Sequence, residues 1–168
     1  MKRLLLWGGL ILLLMIVGLG LIRAQQGQVG QGESAPEFEL TTFQGETYRL
    51  SELKGKVVVV NFWASWCESC KPEARDLEEA WRIYQDRGDV VFLGVDYVDT
   101  EPEAKAYLEQ FEITYPNGPD KRTVISQAFR IRGVPETYVI DREGKIAHRQ
   151  IGPFRSLEEI LAAIEPEL

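Results

Sequence analysis

The chain has 168 residues and a formal net charge of −7, from 19 Lys and Arg against 26 Asp and Glu. Lys2, Arg3 and Arg23 lie in a leading stretch without acids, so residues 24–168 carry 16 basic and 26 acidic side chains, a balance of −10. That excess of negative charge disfavours nucleic acid as a partner and argues against a second, electrostatic attachment to anionic lipid.

Behind Lys2 and Arg3, residues 4–22 form an uninterrupted apolar run whose helical length, at ~1.5 Å per residue, approaches the ~30 Å hydrocarbon core of a bilayer. The rival is a cleaved signal peptide, but its apolar part is usually about 7 to 15 residues and ends in small residues. Here the exit reads Leu21-Ile22-Arg23-Ala24-Gln25, a poor cleavage site. Residues 1–23 are therefore expected to be a signal-anchor segment with its N-terminus in the cytoplasm, since two basic residues precede the span and one follows it. On either reading the rest of the chain is exported. Residues 24–34, rich in Gly and Gln, are expected to be a flexible tether, and residues 35–168 one domain with its own core.

In the domain, residues 38–42 and 46–50 flank Phe43-Gln44-Gly45 as a hairpin, followed by one helical turn at Ser51-Glu52-Leu53. Residues 57–63 are near-continuously apolar, as in a strand covered on both faces. Leu77, Ala80, Trp81 and Tyr84 then mark one buried helical stripe. A second buried strand is expected over 90–95. Thr100 and Glu103 form a capping box before the stripe Ala104, Tyr107, Leu108 and Phe111, and residues 123–129 suggest a short helix. Residues 137–140 and 145–151 make a hairpin around Asp141-Arg142-Glu143-Gly144. Ser156 and Glu159 form another capping box, opening a helix with Leu157, Ile160, Leu161 and Ile164 inward. The expected order is β-β-β-α-β-α-α-β-β-α, an α/β fold with a mixed sheet and helices on both faces.

Trp66-Cys67-Glu68-Ser69-Cys70 holds the only two cysteines, at the point where strand gives way to helix. Residues three apart on a helix share a face with Cβ atoms about 5 to 6 Å apart, so the sulfurs can close a disulfide with little movement. The first sulfur lies where unpaired helical N–H groups favour a thiolate. Strand, C-x-x-C, helix is a redox arrangement. A structural zinc site would need more ligands than two cysteines and the distant His148, and a purely structural disulfide gains little from so short a loop. Glu73 extends the helical stripe back to Cys70, so it is expected to be partly buried, with a raised pKa suited to proton exchange with Cys70. Glu68 disfavours the Cys67 thiolate and makes the pair more reducing. Pro72 is tolerable near a helix start, and His148 is expected to be exposed.

The run Val58-Val59-Val60-Asn61-Phe62-Trp63-Ala64-Ser65-Trp66-Cys67, with Cys70, Glu73 and Gly133-Val134-Pro135-Glu136-Thr137, resembles the membrane-anchored thioredoxin-like reductases of the TlpA, ResA and DsbE type. The likeness covers residues 33–168. It implies a thioredoxin fold with an N-terminal hairpin and a helical insertion over 100–129, acting in thiol-disulfide exchange outside the cytoplasm, notably in cytochrome c maturation. It implies a cis Pro135 beside the disulfide, with Trp66, Val134, Pro135 and Glu136 on the client side. Generic thioredoxins carry aspartate where this chain has Asn61, which cannot act as a base.

The expected function is an extracytoplasmic thiol-disulfide oxidoreductase acting as a reductant. Cys67 attacks a client disulfide and Cys70, assisted by Glu73, resolves the mixed disulfide. No cofactor or metal is required. The resemblance implies a disulfide-bearing client, with apocytochrome c the leading guess, and a membrane protein that supplies thiol electrons. The rivals are a peroxidase-like redoxin and a copper-delivery module using Cys67, Cys70 and His148.

Overall fold

The structure is a computed structural model that describes residues 7, 9, 12–18 and 27–168. Residues 12–18 are helical, and among the described residues no helix is long and apolar enough to cross a membrane. Much of the expected span, and tether residues 24–26, lie outside the described residues.

From Gly27 onward the order is β1 (Glu39–Thr41), β2 (Thr47–Arg49), β3 (Val57–Trp63), α1 (Lys71–Tyr84), β4 (Val90–Asp96), α2 (Glu101–Gln110), β5 (Asn117–Pro119), α3 (Val124–Phe129), β6 (Glu136–Ile140), β7 (Ile146–Ile151) and α4 (Leu157–Ile164). The main sheet runs β5-β4-β3-β6-β7, and β1 and β2 form a separate two-stranded sheet. β3 is the central strand, with all seven residues buried, because it pairs parallel with β4 and antiparallel with β6. The C-terminal end of β3 and the start of β6 therefore meet at the same end of the sheet.

Alternation along the strands divides the core. Val58, Val60 and Phe62 of β3 face α3 and the β1–β2 side, packing with Phe38, Leu40 and Phe129. Val57 and Val59 face the other way, toward Leu77 and Ala80 of α1 and Ile160 and Ile164 of α4. A third cluster joins Trp63, Ala64, Cys67, Cys70 and Ala74 to Ala104, Tyr107 and Leu108 of α2. Helix α2 thus walls the end of the sheet where the cysteines stand, and Trp63 stacks on Tyr107 at 4.7 Å between ring centroids.

The thioredoxin-like mixed sheet with flanking helices is as expected from the sequence, with local corrections. Strand β5 was not expected, because its three residues sit among Pro116, Gly118 and Pro119 and read as turn. It survives as an edge strand because the fold holds it from outside: Phe43 donates its backbone N–H to Asn117 O at 2.9 Å. Asn117 also accepts from Trp63 Nε1 at 2.8 Å, close above Gly94. A Cβ on Gly94 would fall 1.6 Å from Asn117 Oδ1, so only glycine lets the asparagine reach the indole. The Thr100–Glu103 capping box does not close, since Thr100 Oγ1 donates to Glu103 Oε2 at 2.7 Å and leaves the helix N–H groups uncapped by it. Ser156 does cap α4, accepting from Glu159 N.

The described part of the expected tether is not free chain. Val29 is buried in the core, Gly32 N donates to Ile146 O at 2.8 Å, and Ile146 N donates to Glu33 O at 2.9 Å. Ser34 bridges Lys145 in antiparallel sense. Backbone hydrogen bonds hold residues 32–35 and two single side chains, Gln28 and Val29, hold the part before them, too sparse a pattern to show through the Gly and Gln composition.

Candidate active site

Cys67 and Cys70 form a disulfide with Cα atoms 5.4 Å apart. They are joined by a tight turn, Glu68–Cys70, in which Cys70 N donates to Cys67 O at 3.2 Å, and α1 begins immediately after at Lys71. Pro72 falls in the first turn of α1, where no helical N–H is needed, and produces no break. Cys67 retains 4% exposure and Cys70 1%, so Cys67 is the sulfur nearer to solvent. The Ser69 hydroxyl stands 3.5 Å from Cys67 Sγ. Glu68 is strongly exposed and pairs with Lys71 at 2.6 Å, which offsets part of its charge.

The loop ahead of Cys67 is fixed from the segment that follows β4. Asp99 Oδ2 accepts from Ser65 N at 2.6 Å, and Trp66, itself exposed, donates its indole N–H to Val98 O at 3.0 Å. Asp96, at the end of β4 and opposite Trp63 in register, is buried with its Oδ1 unpartnered. Burial pushes its carboxyl up to about 8, and the neighbouring Asp99 and Asp120 push the same way. Neither Asp96 nor Asp99 was singled out from sequence. The available signal was an acid closing the otherwise apolar run of β4.

Glu73 occupies the first turn of α1 and is 1% exposed. Its Oε2 accepts from Phe154 N at 2.7 Å and its Oε1 from Asn61 Nδ2 at 3.3 Å, while the same Asn61 nitrogen donates to Thr137 Oγ1 at 2.9 Å. Burial raises its carboxyl to about 7 against the lowering effect of those two donors. Glu73, Asn61, Trp63, Cys70, Tyr107 and Tyr115 line one closed pocket. Burial drives the Tyr107 and Tyr115 hydroxyls far above their ordinary range, leaving Glu73 as the pocket carboxylate able to exchange a proton near neutral pH.

The Val134–Pro135 bond is cis, and Val134 packs against the cluster that contains both cysteines. Glu136 is 1% exposed and bonded throughout: Tyr138 OH donates to Oε1 at 2.6 Å, Gln28 Nε2 to the same oxygen at 2.8 Å, and Arg132 N to Oε2 at 3.4 Å. It shares the Tyr138 face of β6, opposite to the face of Thr137, Asn61 and Glu73. The structure thus brings Trp66, Val134 and Pro135 to the rim of the cysteine pair and sets Glu136 beneath that rim in a separate polar network.

His148 corrects an expectation, since its ring stacks on Phe154 and its Nε2 is buried without a partner. Among the described residues no group of three His, Cys, Asp or Glu side chains could hold a metal ion, so Cys67, Cys70 and His148 do not form the ligand set that copper delivery would need.

With this geometry in view, comparison with known proteins is specific. The AhpC/TSA family pattern matches residues 31–149. The thiol-disulfide oxidoreductase ResA of Bacillus cereus is 33% identical over 137 residues, covering 80% of this chain and 79% of its own. The thioredoxin-like protein YneN of Bacillus subtilis is 32% identical over 159 residues, covering 90% and 93%. A thiol:disulfide interchange protein of the thioredoxin family from Chlorobium tepidum superposes with a TM-score of 0.72 at 28% identity, covering 84% of this chain and 99% of that one.

Proposed function

The chain belongs to the AhpC/TSA family and is a thiol-disulfide oxidoreductase, and from that premise we propose that it works outside the cytoplasm, held to the membrane by residues 1–23, as a reductant of client disulfides. The observation that carries the exchange chemistry is Glu73 lining the same buried pocket as Cys70, and the reductive direction rests on Glu68, the acid between the cysteines that disfavours the Cys67 thiolate. A buried carboxylate that titrates near neutrality accepts the proton that Cys70 must lose before it can attack.

The Cys67 thiolate attacks one sulfur of a client disulfide, forming the mixed disulfide and expelling the other client sulfur as a thiolate. Cys70 passes its proton to Glu73 and attacks Cys67 Sγ. The mixed disulfide breaks, the client leaves carrying both electrons as a dithiol, and the Cys67–Cys70 disulfide remains. Re-reduction needs two electrons from a thiol donor, and in an oxidising compartment a membrane protein that passes cytoplasmic thiol electrons outward fills that role. Apocytochrome c is the client that the resemblance of the Cys67–Cys70 and Gly133–Thr137 motifs to the TlpA, ResA and DsbE reductases implies.

Trapping tests this directly. Cys70→Ala removes the resolving thiol, so mixed disulfides with exported clients should accumulate on Cys67 and vanish when Cys67 is also replaced. Turnover of hydrogen peroxide by the wild type faster than disulfide exchange, or capture restricted to cytoplasmic proteins, would overturn the assignment.

A further inference from the structure

Residues 27–35 run from the β6–β7 turn to the redox end of the sheet. At one end Ala35 N donates to Gly144 O at 2.9 Å and Ser34 bridges Lys145, both at the β6–β7 turn. Where β7 opens, Gly32 and Glu33 exchange backbone hydrogen bonds with Ile146, and further along Arg149 Nη1 donates to Val29 O at 3.2 Å and Val29 enters the core. At the other end Gln28 Nε2 reaches Glu136, and Arg130 Nη1 donates to Gly27 O at 2.7 Å. Glu136 follows Pro135, and Val134 packs against the cysteine cluster. The chain therefore enters the fold at the end of the sheet that carries the disulfide and reaches the opposite end only at Ser34.

We propose that residues 27–35 are a fixed strap that turns the Cys67–Cys70 end of the domain toward the membrane surface. The proposal rests on the anchor reading given above. If the span ends at Ile22, five peptide steps separate it from Gly27, a reach of at most about 18 Å. The strap's entry point lies beside the redox end, whereas the β6–β7 turn lies beyond the five residues of β6, about 15 Å away. A connection this short keeps the entry point, and with it the redox end of the sheet, nearest the lipid, with the turn pointing away. The disulfide is thereby presented to a donor embedded in the same membrane. The acidic surface of the domain is not attracted to anionic lipid, so the strap, not surface charge, sets this orientation.

Fluorescent donors attached through Lys121→Cys, beside the redox end, and Glu143→Cys, in the β6–β7 turn, test it in the oxidised full-length protein, whose native pair does not react with maleimide. The protein is reconstituted in phosphatidylcholine vesicles carrying acceptor-labelled headgroups. Energy transfer should be about twofold or more stronger from position 121 than from 143, as a difference in height of about 15 Å requires. Gln28→Ala combined with Val29→Ser should collapse that contrast. Floated protein with equal transfer from both positions, or a strap variant that keeps the full contrast, overturns the orientation alone. Protein that fails to float with the vesicles overturns the anchor, and the orientation with it.

Discussion

Phe154 donates its backbone N–H to Glu73 Oε2 at 2.7 Å from 81 residues further along the chain. The loop between β7 and α4 thus holds the carboxylate that lines the pocket with Cys70, and Asn61 holds its other oxygen. Asn61 suits both protonation states, because a neutral amide can present either its N–H or its oxygen to Glu73.

Glu73→Gln keeps the shape of this network and removes the titrating group. Release of the mixed disulfide in the wild type should rise through about pH 7 as Glu73 becomes a base. The variant should be slower by roughly 100-fold at pH 8, a typical general-base contribution, with a flat profile. Stability moves the other way. A folded pKa near 7 against 4.5 means that the contribution of Glu73 is complete below about pH 4.5 and lost as pH rises through 7. The variant should therefore gain about 3 kcal/mol over the wild type at pH 8 and nothing at pH 4. Single-turnover kinetics and urea unfolding at both pH values check the two effects, and superimposable pH profiles would make Glu73 a structural acid only.

Asn61→Asp places a second carboxyl against Glu73 in a site where Asn61 is 3% exposed. Two like charges cannot both ionise there cheaply, so the break in the release profile should move up by roughly one pH unit or more and titrate as a property of the pair. Stopped-flow measurements from pH 5 to 9 decide it, and an unmoved break would contradict the shared pocket.

Asp96→Asn tests the buried acid behind the active-site loop. Its folded pKa of about 8 against 3.8 means stability complete below about pH 3.8 and lost as pH rises through 8. Asparagine stays neutral and still offers an N–H to Asp99. It should therefore stabilise the protein by roughly 5 kcal/mol at pH 9, with little effect at pH 3.5. Thermal melts at the two pH values read the contrast directly, and equal gains at both would remove ionisation as the cause.

Glu68→Lys replaces the exposed acid between the cysteines and frees Lys71 from its pair. Both changes favour the Cys67 thiolate and so the reduced form, raising the reduction potential by about 30 mV for each unit of thiolate stabilisation. The wild-type value should lie nearer roughly −270 mV than −120 mV, and a wild type above about −180 mV in glutathione equilibration would make the reductant assignment untenable.

What could be read in advance followed from periodicity and spacing. The apolar run of β3, the stripes of α1 and α4, and Glu73 in line with Cys70 all use short-range patterns that burial enforces. Contacts made by backbone groups left no such trace. Nothing in the residues around Phe154 announces a donor for Glu73, and Gly27 to Glu33 is held by main-chain bonds and by the isolated side chains of Gln28 and Val29. Strand β5 was hidden by its prolines, which an edge strand accepts. Asp96 was legible in principle as an acid ending an apolar strand, but its position opposite Trp63 depends on the parallel pairing of β3 with β4. The cis Pro135 came from family resemblance and not from composition.

Gly94 gives the redox centre an unobtrusive point of vulnerability. A single added methyl group would expel Asn117 from beneath the Trp63 indole and disturb the stack on Tyr107, although neither sulfur nor Glu73 contacts position 94 among the close neighbours of that glycine. In a random-mutagenesis screen for lost disulfide exchange, alanine at 94 should therefore surface alongside changes at the cysteines themselves. A designer grafting this C-x-x-C onto another scaffold would need to carry over that gap in β4 as part of the motif.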